Sequence, residues 1–203
     1  PEAKPTRIKL MAYGPEVLIE HEIDHVDQIK EFINKWPALW VSVEGLKDIE
    51  LLKQLGDLFL LHPLTLEDIV SGHQRSKVEE YDNNLFIVSR AACQREEQVV
   101  LEQISLVLGE GFVLSFQECP GNELEPVRHR IRQKSGGRLR LSRPDYLIYT
   151  LLDTIVDSFF PILNKFNDRL DTYEDQVIQH PNRKMIDHIH GLRHLTNFIV
   201  TTF

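Results

Sequence analysis

The chain has 203 residues and is 42% hydrophobic, enough to bury a substantial core in one large domain or one domain plus a helical extension. A net charge of −8 and a pI near 5.6 argue against a general nucleic-acid binder. The cysteines, Cys93 and Cys119, lack metal-ligand spacing and fit a reducing compartment; there is no signal peptide, and no apolar run approaches the ~18 residues of a membrane span.

Arg7–Tyr13 and Val17–Glu22 alternate around Gly14-Pro15 and read as a hairpin. Val26–Trp36 reads as a short helix and Leu39–Val43 as a strand. Asp48 caps an amphipathic helix that ends at Gly56 or soon after, and His62 to Val70 forms a second, closed by Gly72. From Lys77 the hydrophobic period becomes two. Lys77–Tyr81, Leu85–Cys93, Val99–Leu108 and Phe112–Gln117, separated by short polar turns, form a four-strand antiparallel meander. Asn122, with Glu125 three residues on, caps a helix closed by Gly136-Gly137.

A long helix, 143–179, follows. Ser142-Arg143-Pro144-Asp145 supplies a capping hydroxyl, a first-turn proline and an acid, and Pro161 is expected to kink one continuous helix. At roughly 100° per residue, Leu151, Ile155, Phe159, Ile162, Phe166, Leu170, Tyr173 and Val177 share a face. Asp153, Asp157, Asn164, Asp168, Asp171 and Asp175 fall on another strip roughly 60° wide. Like charges at i,i+4 cost a few tenths of a kcal/mol per pair. The strip is either a solvated acidic face or a surface for something positive, whether lysines and arginines of a partner or divalent cations. His180-Pro181 stops the helix, and a last helix, 182–203, packs on it. Because the sequence opens at Pro1 and stops at Phe203 in mid-helix, a fragment of a longer protein is expected. The division is 1–142, an α/β domain, and 143–203, the helical extension.

Other polar features have plainer readings. His188, His190 and His194 invite a zinc site, but no cysteine accompanies them and Gly191 weakens the helix; solvated or partner-facing histidines are preferred. Arg128, Arg130, Arg132, Lys134, Arg138, Arg140 and Arg143 lack aromatic interleaving and are expected to pair with acids of the same or a neighbouring domain. His62 reads as a helix cap and His73 as a turn residue, with Trp36 and Trp40 in the core or at a strand edge. Asp153 and Asp157 with a histidine suggest a metal-dependent hydrolase, yet no nucleophile elbow, phosphate loop or metalloprotease helix is present, so no enzyme is expected.

The segment His62–Val88 (HPLTLEDIVSGHQRSKVEEYDNNLFIV) resembles the CorA family of magnesium and cobalt channels. The likeness continues through Glu102–Leu108, Phe116–Glu118, Pro126–Arg128 and Asp145–Tyr149, in the family's order, and covers the chain from about residue 38. It implies a cytosolic α/β (α+β) domain, an αβα sandwich with a mixed, largely antiparallel sheet. Long C-terminal helices then lead toward a membrane region outside this sequence, where a Gly-Met-Asn pore signature is expected. It further implies a homopentamer at the cytoplasmic face of the cell membrane, with Mg²⁺ or Co²⁺ as transported and regulatory ion. Divalent ions between neighbouring domains would hold the closed state. By the resemblance the ligands are Glu96 or Glu97 in the hairpin turn, with Asp153 and Asp157 on the long helix. The remaining ligand, a stalk aspartate of a neighbouring subunit, is expected past Phe203. The alternatives are the cytosolic domain of a zinc-transporting relative and a purely structural oligomerisation module.

Overall fold

A computed structural model describes residues 5–168, apart from 73, 82, 96–97, 120, 134–136 and 166, together with 172. Seven strands form one sheet: β1 (Arg7–Tyr13), β2 (Leu18–Ile23), β3 (Ala38–Glu44), β4 (Lys77–Tyr81), β5 (Asn84–Arg95), β6 (Gln98–Gly109) and β7 (Phe112–Gln117). Their spatial order is β2-β1-β3-β7-β6-β5-β4. Every pairing is antiparallel except β3 with β7, which joins the N-terminal strands to the meander. The mixed, largely antiparallel sheet is the one expected.

Helices cover both faces, because side chains alternate along each strand and both alternating sets are apolar. On one face Leu10, Val41, Phe86, Val107 and Leu114 pack against α1 (Ile49–Phe59), α2 (Pro63–Ser71) and a 3-10 turn, Val26–Glu31. On the other, Met11, Trp40, Ile87, Ile104 and Val113 pack against α3 (Glu125–Arg132), α4 (Gly137–Leu141) and α5 (Pro144–Asp157). The result is an αβα sandwich.

Local departures from the expected elements have identifiable causes. Val26–Trp36 is not a full α-helix: i→i+3 bonds carry only Val26–Glu31, and Asn34 turns left-handed at φ 59° ahead of Pro37. Asp48 caps α1, its Oδ1 accepting the Leu51 amide at 3.0 Å, but the helix passes Gly56 and ends where Leu60 adopts φ 53°. Gly56 is needed for packing, since Leu66 of α2 lies where a Cβ would stand. Asn122 does not cap α3; its carbonyl accepts the Glu125 amide in a turn, Leu124 stands at the N-cap, and Pro126 lies in the first turn. Nor does the Ser142 hydroxyl cap α5, which begins at Arg143 with Pro144 at its first position and Asp145 Oδ1 accepting the Tyr146 amide at 2.8 Å.

The kink arrives slightly before Pro161. Regular helix ends at Asp157, Ser158 and Phe159 form a turn, and helix resumes over 160–165. Proline has no amide to bond the Asp157 carbonyl, and Ile162 donates to Phe159 at 3.1 Å instead of one residue further back. The span Pro144–Lys165 is, by length and composition alone, apolar enough to cross a membrane, contrary to the expectation that no such run exists. Its inward residues Leu147, Leu151, Ile155 and Phe159 are buried in the sandwich, which makes this part a core helix. The expected course beyond Thr172, including the helix 182–203, lies outside the described residues.

Candidate divalent-cation site

The inward face of α5 is fixed by the sheet, and this determines what points outward. Leu147, Leu151 and Ile155 are buried against Ile87, Ala91, Ile104 and Leu106. Asp153 and Asp157 are exposed on the opposite side, one turn apart. Beside them runs an exposed apolar stripe of Tyr149, Val156, Phe160 and Leu163, which no described residue covers. Asn164 and Asp168 are exposed further along; Asp171 and Asp175 lie outside the described residues.

The α5 kink is seated on the hairpin that carries the other expected ligands. Ser158 Oγ accepts the Ala92 amide of β5 at 2.9 Å and donates to the Ile155 carbonyl at 2.6 Å. Ala92, Phe159 and Ile162 form a small apolar cluster with Val99 and Leu101 at the same place. Glu96 and Glu97 lie outside the described residues, between Arg95 and Gln98, which pair across the hairpin. Ala92 comes four residues before Glu96 in the sequence. Asp153 and Asp157 do not gather with a third described ligand.

The one group of three metal-capable side chains among the described residues is elsewhere, and sequence reading missed it. Cys93, Glu102 and Glu123 bring their ligand atoms within 4.8 Å of one another. The Cys93 thiol donates to Glu102 Oε2 at 3.4 Å, and the Cys119 amide donates to Glu102 Oε1 at 2.9 Å. Burial foremost, with Glu123 and Glu102 beside it, pushes the Cys93 thiol well above its ordinary value. A signal was present: Glu102 occupies an inward position in an otherwise apolar alternation on β6.

Of the basic run, Arg128 and Arg132 pair with acids of the same domain as expected, while Arg138 and Arg140 find other partners. Arg128, 1% exposed, donates to Ser42 Oγ at 2.8 Å and Glu44 Oε1 at 3.0 Å, and lies over the Trp40 ring. Lys9 also reaches Glu44, at 2.9 Å. Arg132 bridges Glu20 and Glu125, Arg138 stacks on Tyr146, and Arg140 donates to the Gly14 carbonyl at 3.1 Å. His62 caps α2, its Nδ1 accepting the Leu64 amide at 3.2 Å. Trp40 is a core residue whose indole N–H donates to Ser115 at 2.9 Å. His73, His188, His190 and His194 lie outside the described residues.

The profile of a family described as CorA-like Mg²⁺ transporter protein matches residues 38–199. The cobalt/magnesium transport protein CorA of Thermotoga maritima is 35% identical over 188 residues, covering 92% of this chain and 53% of that protein. The chain thus spans about half the length of that relative. The complete CorA magnesium transporter structure from Methanocaldococcus jannaschii superposes with a TM-score of 0.71 at 18% identity, covering 96% of this chain and 58% of that one. The ZntB cytoplasmic domain from Vibrio parahaemolyticus gives a TM-score of 0.58 at 14% identity over 92% of this chain and 70% of that one, a likeness of fold alone.

Proposed function

Because this chain belongs to the CorA-like Mg²⁺ transporter family, we propose that it is the cytosolic, cation-sensing part of a longer magnesium or cobalt channel. In this reading the channel is a homopentamer, and a divalent ion held between neighbouring cytosolic domains favours its closed state. The domain includes α5, which packs in the sandwich, and the chain beyond it forms the helical connection toward the membrane.

One observation carries the site assignment: Asp153 and Asp157 stand exposed beside an apolar stripe, on a helix whose kink is bonded to β5. Exposed carboxylates a turn apart suit Mg²⁺, a hard ion that keeps several waters and needs only one or two carboxylates directly. Apolar side chains beside them suit a surface that meets a neighbouring subunit. Glu96 or Glu97, on the hairpin that α5 grips, supplies the acid from the turn.

The switch follows from charge. Without an ion, acids on facing subunits repel; a hydrated divalent ion between them supplies the compensating charge. Asp153 and Asp157 orient its waters, and the β5 contact holds those acids at a fixed distance from the hairpin. Since the ion interacts with the closed assembly more favourably than with an open one, its concentration sets the population of each.

Millimolar Mg²⁺ or Co²⁺ should raise the thermal midpoint of the chain modestly, because native-state binding contributes about 1.4 kcal/mol at ten times Kd. A flat midpoint up to tens of millimolar, against K⁺ of equal ionic strength, would contradict cation binding by this chain.

A further inference from the structure

Cys93, Glu102 and Gln117 share one face of the sheet and lie along a diagonal, each offset by two residues from the next. Ala91 pairs with Glu102 and Ile104 with Gln117, and side chains two residues apart along a strand share a face. The diagonal therefore runs over β5, β6 and β7 toward the loop that carries Cys119 and Glu123. The Glu123 carboxylate folds back over Gly121, where a Cβ would collide with it. The Cys93 Sγ to Glu102 Oε2 distance is 3.4 Å, and all the ligand atoms fall within 4.8 Å. A tetrahedral ion with bonds of 2.0–2.3 Å spaces its ligands roughly 3.3–3.8 Å apart. One edge already has that length, and the others, at most 4.8 Å, need shifts of up to about 1.5 Å.

Gln117 provides an independent indication. It is 0% exposed, its Oε1 has no hydrogen-bond partner, and its Nε2 donates to Glu123 Oε2 at 3.4 Å. A buried acceptor left without a donor destabilises the fold unless something supplies positive charge to it. Half a turn of this terminal amide exchanges its oxygen and nitrogen and brings the oxygen to face the Glu123 carboxylate, an arrangement that a cation between them stabilises.

We propose that Cys93, Glu102 and Glu123, completed by the Gln117 amide oxygen, form a divalent-metal site that takes Zn²⁺ or Co²⁺ in preference to Mg²⁺. One sulfur among oxygens suits these borderline ions, whereas Mg²⁺ demands octahedral oxygen coordination. On binding, the Cys93 thiol gives its proton to solvent and the thiolate bonds the ion. The ion then clamps the 118–124 loop to the sheet. This site uses none of the outward acids of α5 and does not depend on their role in sensing.

The test is titration of the 203-residue chain with Co²⁺, followed by the sulfur-to-cobalt charge-transfer absorption, with Zn²⁺ and Mg²⁺ as competitors. The wild type and Cys119→Ser should develop the band, Zn²⁺ should abolish it, and excess Mg²⁺ should leave it. Cys93→Ser should remove it, and Glu123→Gln should weaken Co²⁺ binding about tenfold or more. No band in the wild type, or a band that survives Cys93→Ser and disappears in Cys119→Ser, overturns the proposal. Should Cys93→Ser fail to fold, the half-buried Glu123→Gln decides: unchanged Co²⁺ affinity overturns the site, and the tenfold loss supports it.

Discussion

Ser158 Oγ accepts the Ala92 amide hydrogen at 2.9 Å, tying the α5 kink to β5 beyond the reach of β4. β4 pairs with β5 only as far as Val88, so this stretch of edge would otherwise present unpaired amides. The same bond fixes the helix that carries Asp153 and Asp157 relative to the hairpin that carries Glu96 and Glu97.

Ser158→Ala should therefore cost about 1–2 kcal/mol, since it leaves the Ala92 amide without its acceptor. For a domain of this size each kcal/mol corresponds to roughly 2–4 °C in Tm. Calorimetry on the mutant checks it; an unchanged Tm would mean that the contact holds nothing in place.

Arg128 and Glu44 form a buried ion pair, 1% and 2% exposed, with Ser42, Lys9 and the Trp40 ring around it. Removing one member strands a charge, so Arg128→Ala should destabilise by about 3–5 kcal/mol in urea unfolding. Arg128→Met with Glu44→Leu should cost clearly less than Arg128→Ala alone, because no uncompensated charge remains. A double mutant as unstable as the single would locate the effect in packing.

Arg132 holds Glu20 and Glu125, and its hydrogen bond to Glu20 keeps that carboxyl below its ordinary value of 4.5. Burial alone would raise Glu125, but Arg132 and Arg128 together outweigh it and keep it low too. A lowered folded-state pKa stabilises above the unfolded value and ceases to do so as pH falls through the folded one. Wild type should thus exceed Arg132→Gln in stability at neutral pH, and the gap should close below about pH 4. A gap that stays constant from neutral to acid pH would contradict this.

The sheet was readable because its strands alternate cleanly over long runs: every strand of the meander falls within a residue or two of its expected span. The parallel β3–β7 pairing was not readable, since nothing local in either strand encodes a partner so distant in sequence. Helix ends were misread where backbone geometry overrode side-chain signals. Asn122 and Ser142 carry capping groups, yet Leu124 and Arg143 stand at the caps, each just ahead of a first-turn proline. The outward placement of Asp153 and Asp157 followed from helical period alone, confirmed by the burial of Leu151 and Ile155. The Cys93, Glu102 and Glu123 group escaped notice because its members come from two strands and a loop, and only the register brings them together.

The central claim, that Asp153 and Asp157 sense the ion, separates from a general effect of acidity by position. Asp171 and Asp175 belong to the same sequence strip but come fourteen or more residues later in the chain, outside the described residues. The direct measurement is magnesium-dependent current in the full-length parent channel carrying either Asp153→Asn with Asp157→Asn or Asp171→Asn with Asp175→Asn, with folding checked by circular dichroism. The account predicts that the first pair weakens closure by magnesium substantially and the second does much less; equal shifts in the two would contradict it.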